Sequence, residues 1–153
     1  LHPPGVAELG FTGALERYAN EQCAVSGITL TLVLPETPLP LPAPTLAAMY
    51  GVARAGIDNV VQHARARCMT VTVSCDQNEF VLSIEDDGVG IADADLMKDS
   101  ALGLFASSER IAGSGGELRV SAGAVKGTIL QASIALRDRV KRLRHSATPL
   151  RVA

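Results

Sequence analysis

The sequence predicts an α/β protein: a two-layer α/β sandwich in which a mixed, mostly antiparallel sheet carries helices on one face. Three observations lead there. Segments of helical and strand periodicity follow in the order helix, strand, helix, two strands, helix, two strands. Strands joined directly to strands disfavour a doubly wound parallel sheet and favour helices segregated to one side. Hydrophobic residues make up 47% of the 153 residues and aromatics only 3%, with no Trp, so one domain can close around an aliphatic core.

The elements follow in order. "ELGFTGALERYANEQCAVSG" places Leu9, Ala14, Leu15, Tyr18 and Cys23 at helical spacing, and Gly27 can end that helix. "ITLTLVL", residues 28–34, alternates apolar residues with Thr as a half-buried strand does. "PETPLPLPAP", residues 35–44, is too stiff and donor-poor for a helix or an inner strand. A long helix is expected from Thr45 to Ala66, with Leu46, Met49, Ala53, Ile57, Val60 and Ala64 facing the core. "CMTVTVSC" (68–75) and "EFVLSIED" (79–86) read as two strands joined by a short turn. Residues 87–100 are polar and Gly/Asp-rich, a loop. A helix over 103–113 would bury Leu102, Leu104, Phe105 and Ile111, and "GELRVSAG" with "GTILQASIAL" would form a final hairpin.

Charge and cysteine usage narrow the classes. Residues 137–153 hold six basic residues and one acid, net +5, in a chain of net charge −2. Residues 1–136 are therefore the expected folded domain, with 137–153 a basic, flexible, solvated tail. An acidic body with a basic tail is not a nucleic-acid-binding profile. No apolar run approaches the length of a bilayer span. Cys23, Cys68 and Cys75 show no CxxC spacing, which fits three small buried side chains in a reducing cytosol rather than a disulfide framework or zinc site. A first residue of Leu leads us to expect a piece of a longer protein.

Chemistry concentrates in "IEDDGVGI", residues 84–91. A strand ending in Asp86 and followed by Gly88 and Gly90 puts a carboxylate at a cleft edge, and it removes the Cβ atoms that would hold a flat ligand off the backbone. A carboxylate accepts hydrogen bonds only, so it suits an exocyclic amine such as that of adenine. Taken alone, the octapeptide fits a tight turn after a strand equally well. Its company shifts the balance. Ala55, Asn59, Gln62 and His63 share the helix face opposite the core residues, and an Asn oxygen there suits Mg²⁺. Solvated helix residues are the plain alternative for Asn59 and His63. Ser100 could cap the next helix, and Gly103 lies where free N–H groups gather, a start that suits phosphates. Thr128 opens the last strand and could place a hydroxyl beside a base.

"AGIDNVVQHARA", "IEDDGVGI", "ALGLFASSERIAGSGGELRV" and "KGTIL" together resemble the N, G1, G2 and C-terminal boxes of the GHKL ATPase superfamily. More closely, they resemble the catalytic ATP-binding domain of bacterial sensor histidine kinases, in the subfamily paired with helix-turn-helix response regulators. "LHPPGVAELGFTGALERYA" is similar to that subfamily's segment after the dimerisation helices, so the resemblance covers residues 1–136.

The resemblance implies a Bergerat fold binding ATP and Mg²⁺ between helices and a lid, here residues 89–101. Asp86 would accept from the adenine amine, with Asp87 left as a polar turn residue. Gly88 and Gly90 would admit the base and the lid, and Thr128 would line the pocket. Asn59 would hold Mg²⁺, with His63 beside it, and Leu102 and Gly103 would meet the phosphates. The implied partners are a helical dimerisation and phosphoacceptor domain of the same parent and a response regulator, with a homodimeric parent whose catalytic domain is cytoplasmic. His2, in "LHPP", lacks the context of the phosphorylated His. Three positions depart from the family pattern: Ala55 replaces a Glu, Gln62 a basic residue, and Ala101 the first Gly of G-L-G-L. Each thins metal and phosphate handling more than base recognition, so weak nucleotide binding, or a degenerate docking module of the same fold, is the expected alternative. An anti-sigma-factor-type Ser kinase shares the fold, but the opening segment fits it less well.

Overall fold

The computed structural model describes residues 6–90, 99–123, 125–136 and 151–152, with side chains at 10–90, 105–123 and 125–136. The expectations for His2, for the inner part of the lid and for residues 137–150 lie outside the described residues. The elements are α1 (Val6–Ser26), β1 (Thr29–Val33), α2 (Ala43–Asn59) running on into one π-turn (Val60–Ala64), β2 (Cys68–Cys75), β3 (Glu79–Asp86), α3 (Asp99–Gly113), β4 (Gly116–Ala122), β5 (Thr128–Ala135) and β6 (Arg151–Val152).

The sheet order is β1-β2-β3-β5-β4-β6. The three central pairings are antiparallel, while β1 runs parallel to β2 and β6 parallel to β4. Alternation sorts the two faces. Val71, Phe80, Leu82, Ile84, Leu118 and Ile134 are buried against the helices. Thr70, Thr72, Ser83, Glu85, Arg119 and Gln131 occupy the alternate positions, half-buried or exposed. One covered face and one polar face make a two-layer α/β sandwich, as expected. Two residues of the predicted tail, Arg151 and Val152, pair with Arg119 and Val120 as β6.

The core is aliphatic apart from Phe11, Phe80 and Tyr50, and the rings of Phe11 and Phe80 meet edge to face at 5.9 Å. In α1, Phe11, Ala14, Leu15, Ala19 and Cys23 face inward at spacings of three and four. Gly27 closes it with a left-handed φ of 75° and an N–H to Cys23 O at 2.9 Å. Gly56 lets α2 lie close on the sheet: a Cβ there would stand 2.6 Å from Leu130 Cδ2 and 2.8 Å from Ile84 Cδ1. That contact sets the C-terminal half of α2 over the strands that end in Asp86 and begin with Thr128.

Several expectations need correction. The long helix starts at Ala43, because Pro44 fits a first turn whose N–H groups have no partner anyway. It ends as a π-turn at Ala64, where Arg65 turns left-handed at φ 51°, so it does not reach Ala66. The last helix begins at Asp99, and Phe105 is 53% exposed rather than core. Phe105 and Ile111 are six residues apart, about 240° around a helix, and cannot share a face. The buried face instead carries Ser107, Ser108 and Ile111. Cys68 is exposed at the start of β2 and Cys75 half-buried, so only Cys23 is a buried thiol.

Candidate functional site

Asp86 is the last residue of β3 and lies between Met69 of β2 and Thr128 of β5. It is only 5% exposed, and Thr128 beside it only 6%. Asp86 Oδ1 accepts the Gly88 N–H at 2.8 Å. No described side chain donates to it. Burial pushes its carboxyl above the usual carboxylate range, and the neighbouring Asp87 and Glu85 add to this. The N–H groups of Gly88 and Thr128 oppose the shift. A buried acid without a basic partner is costly, and a ligand amine beside it would lower that cost.

The backbone around it is stripped of side chains where it must be. A Cβ on Gly127 would fall 1.9 Å from Asp86 O, and Gly127 has a left-handed φ of 86°. A Cβ on Gly88 would fall 2.1 Å from Ala64 O. Gly90, at φ 83°, passes over Gly127, with its Cβ position 3.4 Å from Gly127 O. Gly88 and Gly127 thus permit close backbone crossings on either side of the carboxylate.

Asp87 does different work. Its Oδ1 accepts the N–H groups of Arg67 at 2.8 Å and Cys68 at 2.9 Å. Those two bonds hold its carboxyl below the usual range. The two adjacent acids therefore divide: Asp87 ties β3 to the entrance of β2, and Asp86 faces the interior.

The C-terminal end of α2 joins the same turn. Val89 N–H donates to Ala64 O at 2.8 Å. His63, one residue before that carbonyl, and Gln62 are exposed in the π-turn. Asn59, the last residue before the π-turn, is half-buried, as is Ala55 one turn earlier. Leu102 and Gly103 lie in the first turns of α3, and their side chains fall outside the described residues. α3 packs beside α2, where Arg110 Nη1 would lie 3.7 Å from a Cβ on Gly51. The structure thus brings Asp86, Gly88, Gly90 and Thr128 into one cluster, reached from α2 through Ala64. It sets Asn59 one turn back along α2 and Gly103 on the neighbouring helix.

Among the described residues no three His, Cys, Asp or Glu side chains form a metal cluster. The Asn59 amide oxygen is a donor of the kind that suits a hard cation keeping its waters and sharing phosphate oxygens. The buried Asp86 carboxylate, bonded to the Gly88 N–H and with no described basic side chain beside it, is an acceptor of the kind that suits a ligand bearing an amine. A surface hollow of about 570 Å³ lined by Thr37, Pro38, Pro40, Cys75, Asp76, Gln77 and Leu136 lies at the other end of β2 and β3, away from this chemistry. The Ala64 carbonyl and the π-turn had no side-chain signature in the sequence.

This arrangement is a two-layer α/β sandwich, a half-covered mixed sheet with a buried acid at the end of a central strand and glycines beside it. Residues 47–138 match the family described as histidine kinase-, DNA gyrase B- and HSP90-like ATPase, and the chain belongs to that family. The sensor histidine kinase NarS of Mycobacterium tuberculosis is 26% identical over 121 residues, covering 77% of this chain and 28% of NarS. The nitrate/nitrite sensor protein NarX of Escherichia coli is 25% identical over 115 residues, 75% of this chain and 19% of NarX. The chain therefore spans less than a third of these relatives. The histidine kinase domain of the Erythrobacter litoralis EL346 blue-light activated histidine kinase superposes with a TM-score of 0.69 at 19% identity, over 89% of this chain and 65% of that one. Full-length ShkA in complex with AMPPNP superposes at 0.64 and 19% identity, over 82% of this chain and 29% of that one. Among the described residues no helix is long and apolar enough to cross a membrane.

Proposed function

We propose that this chain is the ATP-binding catalytic domain of a two-component sensor histidine kinase. It would offer the γ-phosphoryl group of ATP to a His on a separate helical dimerisation domain of a homodimeric, cytoplasmically facing parent, for onward transfer to a response regulator. One observation carries the reading: the buried Asp86 carboxylate, with no described side chain to satisfy it, at a sheet end lined by Gly88 and Gly127. The relatives' names and the AMPPNP complex of a similar fold support it.

In this reading Asp86 accepts from the adenine amine, and Thr128 lies beside the base. Gly88 and Gly90 let the ring and the following segment approach the backbone. Asn59 holds Mg²⁺, which when bound neutralises phosphate charge. His63 lies toward the phosphates, and the free backbone N–H groups of the first turn of α3, from Asp99 to Leu102 just before Gly103, receive them. The chain's own contribution is position and electrostatics rather than covalent chemistry. Ala55, Gln62 and Ala101 leave base recognition untouched but thin metal and phosphate handling, so ATP binds weakly.

Calorimetric titration with ATP and with AMPPNP, with and without Mg²⁺, tests this. Mg²⁺-dependent binding supports the kinase reading. Metal-independent binding would leave only a base pocket, and no binding would sink the proposal.

A further inference from the structure

The helix that carries Asn59 is bolted from behind. Tyr18, half-buried in α1, donates its hydroxyl hydrogen to Asp58 Oδ1. The Arg54 guanidinium lies over the Tyr18 ring, 4.8 Å from its centre. The Tyr50 ring meets Tyr18 edge to face at 6.5 Å. Tyr50, Arg54 and Asp58 stand at intervals of four, one stripe along α2, so a single side chain of α1 grips two turns of it.

The grip ends at the residue before Asn59. Asp58 points to α1 and is occupied there, so it cannot replace the acid missing at Ala55. Its fixed direction sets the rotation of the last α-helical turn, and Asn59 follows about 100° further round. Beyond Asn59 the ladder changes to the wider, weaker π-turn of Val60–Ala64, which offers less restraint from that side.

We infer that Tyr18, through Asp58, is a positioning residue that aims the Asn59 amide at its metal, so that α1 and the Mg²⁺ site are mechanically one unit. This rests on the nucleotide reading above. If only packing were needed, Phe at position 18 would serve, since the ring contacts to Tyr50 and Arg54 would remain.

The test uses the whole chain with Tyr18→Phe, Asp58→Ala and the double variant, titrated with ATP in Mg²⁺ and in EDTA, alongside thermal melts. Tyr18→Phe should lower the Mg²⁺-dependent affinity about threefold to tenfold, less than the 10–100-fold typical of a partner bonded directly to a ligand, with EDTA binding within about twofold of wild type. The double variant should lose no more than the worse single one, because both break one bond. Should Tyr18→Phe fail to fold, Asp58→Ala carries the same comparison. A melting temperature that falls while the Mg²⁺-to-EDTA ratio stays constant overturns the inference and leaves the nucleotide reading standing. A wild-type chain that binds nucleotide equally well in EDTA overturns it by removing the metal site, and one that binds no nucleotide removes both.

Discussion

The Val89 N–H bonds to the Ala64 carbonyl at 2.8 Å, and this one bond joins the end of the Asn59 helix to the glycine turn after Asp86. Two stretches far apart in sequence meet there as backbone against backbone. A free carbonyl at a helix end needs a partner, and the turn provides it only because Gly88 leaves room.

Gly88→Ala tests the joint. Its Cβ would lie 2.1 Å from Ala64 O, and backbone cannot swing aside as a side-chain tip can. We expect a loss of about 1–3 kcal/mol, the usual cost of forcing a methyl into packed space, read from urea unfolding. Nucleotide binding should fall as well. An unchanged unfolding midpoint would mean that the crossing is looser than described.

Asp86→Asn should separate stability from function. Burial raises the Asp86 carboxyl above its usual range, so the folded chain holds that proton more tightly than the unfolded one. Its contribution to stability is present in acid and is lost as pH rises through the raised folded value. Asn keeps an acceptor for the Gly88 N–H and carries no charge to bury. The variant should melt higher than wild type at neutral pH, with the gap closing toward acid, while ATP affinity drops at least about tenfold with the charge-assisted bond. Thermal melts across pH, paired with titration, decide this; a lower melting temperature at neutral pH would count against it.

Asp87→Ala should behave in the opposite sense. The N–H groups of Cys68 and Arg67 hold the Asp87 carboxyl below its usual range. Its contribution is therefore present above the ordinary carboxylate range and is lost as pH falls through the lowered folded value. The variant should melt lower than wild type at neutral pH and converge with it in acid. Parallel melts at both pH extremes would show the pattern or its absence.

Ala55→Glu restores an acid one turn before Asn59, on the same helix face. Ala55 is half-buried, so a longer side chain has a route to solvent. We expect Mg²⁺-dependent ATP affinity to rise about tenfold, the low end of the effect of a partner that organises a metal ligand. No gain in titration would show that the alanine is not what weakens the metal site.

Two strands were legible in full: β2 and β3 run over 68–75 and 79–86 as alternation predicts, because each packs one face and wets the other; β6, inside the expected tail, was not. The division of labour between Asp86 and Asp87 was legible only through the family pattern; the geometry now supplies its cause, two N–H donors for one acid and burial for the other. The inward face of α3 was misread because Phe105 is the more hydrophobic residue, yet the 100° step per residue puts Ser107 and Ser108 inside. The π-turn, the Ala64 carbonyl and the Tyr18–Asp58 bolt left no trace. The first two are backbone events, and the third joins residues 40 apart whose types fit any solvated helix.

The most direct test of the account is calorimetric titration of the wild-type chain with ATP and GTP side by side in Mg²⁺. Guanine offers a carbonyl where adenine offers its amine, so an ionised Asp86 should repel it. We predict that GTP binds at least about tenfold more weakly than ATP, the discrimination one charge-assisted hydrogen bond provides. Equal affinity for the two, or heat from neither, would contradict the central claim that Asp86 reads the base.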